Sequence, residues 1–365
     1  MTAVDAPLRI MCLSNMYPGP GNPDYGAFVE TMCVALEGTG AHVERVVIDT
    51  RAHGPVRTPA KYLDLARRAV AGVRDVDVVY AHYLFPTGAI AAACGRLTGR
   101  PWVVTAHGRD VQNLTQARLR AATAPAVSGA AAVICVSRYL AGLLRDAGLR
   151  LPPVYIANMG VDLDRFRIAD RGDARLRLGL PGGPLVIAVG GLTERKNPLR
   201  LLQAFAIVRR ERPEARLALI GDGPLRGAVR AGVHRLGLDG AVDLPGAVPH
   251  RDVAAWMASC DVLALPSLVE PLGVVALEAM ASGRPVAATR TGGVAEVVGR
   301  AGTLVDPSDP RSIASGILRL LADPPGDAAC RATAAAHDVR RQAGRVAGIL
   351  RDAARPAAGV TRPGR

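Results

Sequence analysis

The chain has almost no lysine. Of its 45 basic residues only Lys61 and Lys196 are lysines, and the others are arginines. With so much alanine and glycine, this skew reads as the coding bias of a GC-rich genome. Aromatic residues are also scarce, at 4%. A basic stripe interleaved with stacking rings is therefore absent, and nucleic acid is not an expected partner despite a net charge of +13. About half of that excess lies from Arg331 onward, where eight arginines face only Asp338 and Asp352, and it reads as a solvated helix face and a loose end. No run of eighteen apolar residues occurs, so no transmembrane helix is expected. No basic segment and apolar run precede the first strand-like stretch at Leu8, so no secretory leader is expected. The six cysteines lack short pair spacing and sit mostly in apolar runs, which predicts reduced thiols in a cytoplasmic core. There is no Cys/His cluster, no lysine-bearing P-loop and no Gly-x-Ser-x-Gly elbow, so neither a metal site nor a serine hydrolase is expected. The carboxylate pairs Asp75/Asp77 and Asp162/Asp164 read as structural.

What is present is alternation. Short apolar runs at Leu8–Leu13, Val43–Ile48, Val76–Tyr80, Trp102–Thr105 and Ala131–Val136 alternate with helix-length segments. A second series follows at Leu185–Val189, Arg216–Ile220, Val242–Leu244, Val262–Leu265 and Val286–Ala288. Continuous apolar runs such as these suit parallel strands covered on both faces. The stretch from Asn158 to Pro184, rich in charge, Gly and Pro, reads as the connection between two doubly wound domains. Helically spaced Val339, Ala343, Val346, Ile349 and Leu350 predict a last docked helix. Ligands of such sheets sit at the carboxyl ends of strands where strand order reverses, and the motifs fall at strand ends.

The most informative stretch runs from Leu265 to Ser282. It reads as strand end, loop and a helix apolar at every position except Glu278, whose carboxylate needs a partner if the helix is buried. Glu270 stands just before that helix, where free N–H groups attract an anion. The loop is thus a candidate socket for a nucleotide sugar. The plainer alternative is a solvated Glu270 and a Glu278 paired with an internal arginine. Elsewhere, Gly26 ends a Gly/Pro loop before a helix, and glycine there admits a phosphate closely. His107 follows a strand in Thr-Ala-His-Gly-Arg-Asp and suits a ligand site, as His82 does more weakly. Lys196 stands beside a helix start, with Asn197-Pro198 reading as N-cap and first helical residue. Gly221-Asp-Gly-Pro is a glycine turn that misses the dinucleotide pattern, because Arg226 stands where its third glycine belongs.

Taken together, these residues resemble the retaining nucleotide-sugar glycosyltransferases of family four, over roughly Leu8 to Leu321. The most specific part is Glu270-(seven residues)-Glu278 within Pro-Ser-Leu-Val-Glu-Pro-Leu-Gly-Val-Val-Ala-Leu-Glu-Ala-Met-Ala-Ser. Gly-Ala-Phe-Val-Glu, His-Gly-Arg-Asp, Asn-Met-Gly-Val-Asp-Leu-Asp-Arg-Phe, Glu-Arg-Lys-Asn-Pro and Gly-Asp-Gly-Pro also match. The resemblance implies an α/β GT-B fold of two facing Rossmann-like domains around an inter-domain cleft. Residues 1–165 would bind acceptor, 166–184 form the linker, 185–335 bind the donor, and 336–365 form a helix and basic tail. His107, Lys196 and Glu270 would be the catalytic residues. Glu270 would hold the donor sugar's hydroxyls and Glu278 the ribose hydroxyls. The N–H groups of Leu272, Gly273 and Val274 would meet the diphosphate, Lys196 would offset its charge, Gly26 would reach it on closure, and Val248 would lie against the base. The family usually carries an arginine five positions before this lysine. Here that position is Gly191, a loss worth roughly 1.5–3 kcal/mol, so Arg195 substitutes or the donor is bound differently.

The implied activity is retaining, metal-independent hexosyl transfer from a nucleoside diphosphate sugar, UDP- or GDP-linked, without a cofactor. The acceptor is a hydroxyl of a glycan, glycolipid or small natural product, expected near Tyr25, His82, Tyr83, Arg109 and Ser137. The alternative is a sugar-nucleotide epimerase or phosphorylase on the same architecture. The segment from Lys61 to Val70 is basic and amphipathic. It reads equally as an ordinary surface helix and as a peripheral contact with anionic membrane. The expected location is cytoplasmic, with that membrane contact at the inner face as the variant.

Overall fold

The computed structural model describes residues 6–355 other than Pro23, Ala52, His53 and Pro55. The last ten residues of the expected basic tail lie outside the described residues. The chain divides into two compact units, residues 1–159 with 339–365, and residues 160–338.

The first unit is a six-stranded sheet of β1 (Arg9–Ser14), β2 (His42–Val47), β3 (Val78–His82), β4 (Trp102–Ala106), β5 (Ala132–Cys135) and β6 (Val154–Ile156), in the order β2-β1-β3-β4-β5-β6. Every pairing is parallel. Strands β3, β4 and β5 are buried at every position, as their unbroken apolar runs dictate. Each fully buried Val, Ile or Leu contributes roughly 1.5–3 kcal/mol. The helix Val339–Ala354 forms as its spacing predicts. It buries Val339, Ala343, Val346, Ile349 and Leu350 and packs on the helix Ala27–Glu37, so the chain ends in its first unit.

The second unit holds β7 (Leu185–Val189), β8 (Arg216–Ile220), β9 (Val242–Gly246), β10 (Val262–Leu265), β11 (Val286–Thr289) and β12 (Gly302–Val305), in the order β12-β11-β10-β7-β8-β9. All of these pairings are parallel as well. This is the Rossmann order, and it reverses between β7 and β10. In the first unit the reversal lies between β1 and β3. Two strands were not anticipated, β6 and β12. Both are short sheet edges with partly exposed side chains, so neither carries an unbroken apolar run.

Residues 166–184, read from sequence as a linker, belong to the second unit. They include the helix Arg171–Leu178, capped by the Asp170 side chain, which accepts from the Asp173 N–H. Arg171 and Arg175 each meet the Asp261 carboxylate at 2.6 Å. Charge read as part of a linker thus anchors this helix to the start of the central strand β10.

Candidate active site

The sharpest cluster lies in the second unit at its strand-order reversal. After β7 the chain passes through Gly190 and Gly191 to a short turn, Glu194–Lys196. After β10 it runs through Ser267 and Glu270 to the helix Val274–Ala281. Lys196 Nζ donates to Glu270 Oε2 at 2.7 Å, and Ser267 Oγ donates to the same oxygen at 2.9 Å. Glu270 is only 6% exposed. Burial pushes its pKa up, but Lys196, Arg195 and the Ser267 hydroxyl outweigh burial and hold it below the ordinary value. The solvated-Glu270 alternative is excluded. Arg195 is close enough to contribute to that field, so a second cation stands near the acid although position 191 is glycine.

The backbone of Glu270 is clamped from the neighbouring loop. Its N–H donates to Thr291 O at 3.0 Å and its carbonyl accepts from the Val294 N–H at 3.3 Å. Gly292, at φ +108°, makes the clamp possible, since a Cβ there would stand 2.2 Å from the Glu270 carbonyl oxygen. Gly273 takes the position before the helix at φ +80°, and no side chain caps the helix start. No side chain thus satisfies its first N–H groups, among them that of Val274. Leu272 is buried. A pocket at the ends of β7 and β10 is lined by Gly190, Gly191, Leu192, Lys196, Leu265 and Pro266.

Asn197 takes the N-cap position with Pro198 as the first helical residue, as expected, but its side chain does not cap the helix. It adopts φ +59°, and its Nδ2 donates to the carbonyls of Pro266 and Pro307 at 3.2 and 2.8 Å. It ties the lysine turn to the Glu270 loop. The Gly-Asp-Gly-Pro turn is likewise explained by backbone packing. A Cβ on Gly221 would stand 2.0 Å from the Gly190 carbonyl oxygen.

Glu278 is 7% exposed, as its apolar helix requires, and it is paired. Its partner is not an arginine but His250, with Nε2 at 3.0 Å from Glu278 Oε1. The buried arginine of this unit, Arg284, instead meets Asp327 and the carbonyls of Ala169 and Ala258. Val248, half-buried, sits in the loop between β9 and the helix His250–Ser259.

In the first unit the strand ends gather a second cluster. His82 is fully buried at the end of β3, and its Nδ1 lies 3.0 Å from His107 Nε2 after β4. The two rings stack at 5.2 Å. Tyr83, at φ +76°, packs its ring 4.7 Å from His107, with Phe28 at 5.2 Å on another side. Burial drives the His82 pKa down to about 3. Burial, and then His82, hold His107 well below its usual value. Both rings are neutral at physiological pH. Asp110, the last residue of the His-Gly-Arg-Asp motif, accepts from the N–H groups of Leu84, His107 and Gly108 and fixes both strand ends.

Other expected residues are engaged structurally. The Ser137 hydroxyl caps the helix Arg138–Asp146 by accepting from the Leu140 N–H. Tyr25 donates to the Asn15 carbonyl at 2.9 Å, under the Arg51 guanidinium. Arg109 is exposed. Gly26 lies at φ +73°, where a Cβ would stand 2.4 Å from the Met16 carbonyl oxygen, so its own backbone already demands glycine. Asp162 Oδ1 accepts from the N–H groups of Asp164 and Arg165, and Asp77 Oδ2 from the Arg9 N–H. Each of these carboxylates closes a local turn or braces a strand.

Two Rossmann-like units, one with a lysine–glutamate pair at an uncapped helix start, define a GT-B glycosyltransferase. The structure resembles Anabaena HepE in complex with UDP-glucose, with a TM-score of 0.78 at 24% identity, over 94% of this chain and 100% of that one. It also resembles sucrose-phosphate synthase from Thermosynechococcus elongatus, with a TM-score of 0.76 at 23% identity, over 94% and 98%. Residues 183–323 match the family model described as glycosyl transferases group 1, and residues 25–165 match the one described as glycosyltransferase family 4. The D-inositol 3-phosphate glycosyltransferase of Thermobispora bispora is 36% identical over 286 residues, 72% of this chain and 67% of that protein. The GDP-mannose-dependent alpha-(1-6)-phosphatidylinositol monomannoside mannosyltransferase of Mycolicibacterium smegmatis is 33% identical over 272 residues, 70% of each. The chain belongs to glycosyltransferase family 4, and it is an enzyme that uses a nucleotide sugar.

Proposed function

We propose that the chain moves a hexosyl group from a UDP- or GDP-linked sugar to a hydroxyl of a cyclitol phosphate or a cyclitol glycolipid, with retention at the anomeric carbon and without a metal. One observation carries this reading. A buried carboxylate and a lysine meet at 2.7 Å beside an uncapped helix start, at the strand-order reversal of the second unit. The acceptor class follows the relatives, one acting on inositol 3-phosphate and one on a phosphatidylinositol mannoside.

In this reading Glu270 accepts hydrogen bonds from the donor sugar's hydroxyls, and Lys196 turns from Glu270 alone to share its charge with the diphosphate. The anomeric C–O bond breaks with its electron pair going to the diphosphate, where Lys196, Arg195 and the helix N–H groups of Gly273 and Val274 stabilise the growing charge. The acceptor oxygen bonds to the anomeric carbon on the same face, and its proton passes to the departing phosphate oxygen. His107, held neutral, contacts the sugar as a hydrogen-bonding group rather than as a cation. No observation favours the epimerase or phosphorylase alternative.

Peripheral membrane contact belongs to the glycolipid arm of this reading. On and beside the helix Arg57–Gly72, Val56, Leu63 and Val70 are exposed by 77%, 66% and 46% at a seven-residue spacing. They stand among Arg57, Lys61 and Arg67, with Arg68 paired to Asp64, a net basic amphipathic surface of the kind that sits on anionic lipid. No helix among the described residues is long and apolar enough to cross a membrane. The six described cysteines are free and buried, which fits a reducing compartment.

The test is transfer from UDP-glucose and GDP-mannose to inositol 3-phosphate and to a phosphatidylinositol monomannoside. Glu270→Gln is expected to abolish transfer while melting cooperatively, and the wild-type product is expected to keep the donor's anomeric configuration. Near-normal activity of Glu270→Gln, or an inverted product, contradicts the reading.

A further inference from the structure

The segment Asp162-Leu-Asp-Arg-Phe166 forms a turn near the start of the second unit. Arg165 Nη1 lies 2.9 Å from His250 Nδ1. A guanidinium has donors and no acceptor, so His250 Nδ1 accepts. The neutral ring then carries its proton on Nε2, which lies 3.0 Å from Glu278 Oε1 and donates to it. The direction of both bonds is fixed by chemistry alone. Among the described residues this is the only hydrogen bond to the Glu278 side chain, so Oε2 stays open.

The bracket around this relay is built twice over. Asp162 Oδ1 holds the N–H groups of Asp164 and Arg165 at 3.0 Å each. Arg331 donates to the carbonyls of Leu163 and Phe166 on that turn and to the carbonyl of Ala281 at the end of the helix bearing Glu278. The buried Phe166 ring packs 5.8 Å from the His250 ring. The turn that presents Arg165 is thereby pinned to the helix that presents Glu278.

We propose that His250 is a positioning residue for nucleotide recognition. Locked by Arg165 in its Nε2–H tautomer, it occupies one oxygen of Glu278 and turns the other toward the ribose diol of the donor. This rests on the reading of Glu278 as the ribose acid. It adds that ribose selectivity depends on a histidine 28 positions before that acid and on the arginine behind it. The carboxylate needs a fixed rotamer to meet two adjacent hydroxyls, and His250 supplies it.

The test is calorimetric binding of UDP and GDP and of their 2′,3′-dideoxy analogues to the full chain. Wild type is expected to prefer the ribose form. His250→Leu is expected to lose about tenfold for the ribose form and little for the dideoxy form, with catalysis falling through KM. His250→Gln, whose amide N–H donates to Glu278, is expected to recover most of the loss. Nitrogen-15 spectra are expected to show His250 as the Nε2–H tautomer in wild type and as a tautomer mixture in Arg165→Ala, a variant on an exposed side chain. An unchanged ribose-to-dideoxy ratio in His250→Leu, with the ratio collapsing in Glu278→Gln, overturns the proposal and leaves Glu278 as the ribose acid. A ratio unchanged in Glu278→Gln overturns the reading of Glu278 and the proposal with it. An Nδ1–H tautomer in wild type overturns the relay on its own.

Discussion

Lys196→Ala removes the cation 2.7 Å from a carboxylate that is only 6% exposed. Breaking a buried ion pair by deleting one partner costs about 3–5 kcal/mol, because the other charge is left unpaired. Here two features soften the loss: the Ser267 hydroxyl still donates to Glu270 at 2.9 Å, and Arg195 stays in the field. A cost of about 2 kcal/mol is therefore expected, which for a unit of this size lowers Tm by roughly 4–8 °C. The pH dependence follows from the sign of the shift. The Glu270 pKa is lowered in the folded protein, so its stabilisation is present above the unfolded value and is lost as pH falls through the folded one. The melting gap between wild type and Lys196→Ala is thus expected to be wide at pH 7 and to narrow at acid pH, once pH has fallen below the lowered folded value of Glu270 and the carboxylate is neutral in both proteins. Glu270→Gln added to Lys196→Ala is expected to recover part of the lost stability at pH 7, since the orphaned charge is gone. Melts by circular dichroism at both pH values check this. A gap under 1 °C at pH 7, or one equal at both pH values, refutes the argument that a buried pair is held here.

Gly292→Ala places a Cβ against the Glu270 carbonyl oxygen at φ +108°. It is expected to destabilise by about 2 kcal/mol or more and to cut transfer, as read by melting and by initial rates. His82, with its pKa driven down to about 3 by burial, is neutral when folded and protonates near pH 6.5 when unfolded. Its contribution is present above pH 6.5 and falls by about 1.4 kcal/mol per pH unit below it. His82→Phe is expected to flatten that acid limb in urea titrations between pH 7 and 5. Leu63→Glu, on the exposed basic helix, is expected to weaken sedimentation with anionic vesicles at least severalfold while leaving transfer to a water-soluble acceptor unchanged.

The central strands were legible because they are buried on both faces and therefore apolar at each successive position, as in Val78–His82 and Val262–Leu265. The edges β6 and β12 were not, because a three- or four-residue edge strand leaves side chains in solvent. The Glu270 loop was visible as an acid before an apolar helix. Its union with Lys196, 74 positions away, came only through a family resemblance, since no local pattern encodes a contact at that range. Gly26 was read toward phosphate when its own backbone neighbour, the Met16 carbonyl, already required glycine. His250 escaped notice because it opens the helix His250–Ser259 as a lone histidine, and no local spacing ties it to Glu278, 28 positions further on. The one available signal was indirect: a buried Glu278 must have a partner, and the structure commits the buried Arg284 elsewhere.

The most direct test of the account is isothermal titration of UDP and GDP into wild type and Lys196→Ala. The account predicts that wild type binds one of the two nucleoside diphosphates in the micromolar range and that Lys196→Ala binds it at least tenfold more weakly. Equal affinity in the two proteins, or no binding of either nucleotide by wild type, contradicts the placement of the donor diphosphate beside Lys196 and Glu270.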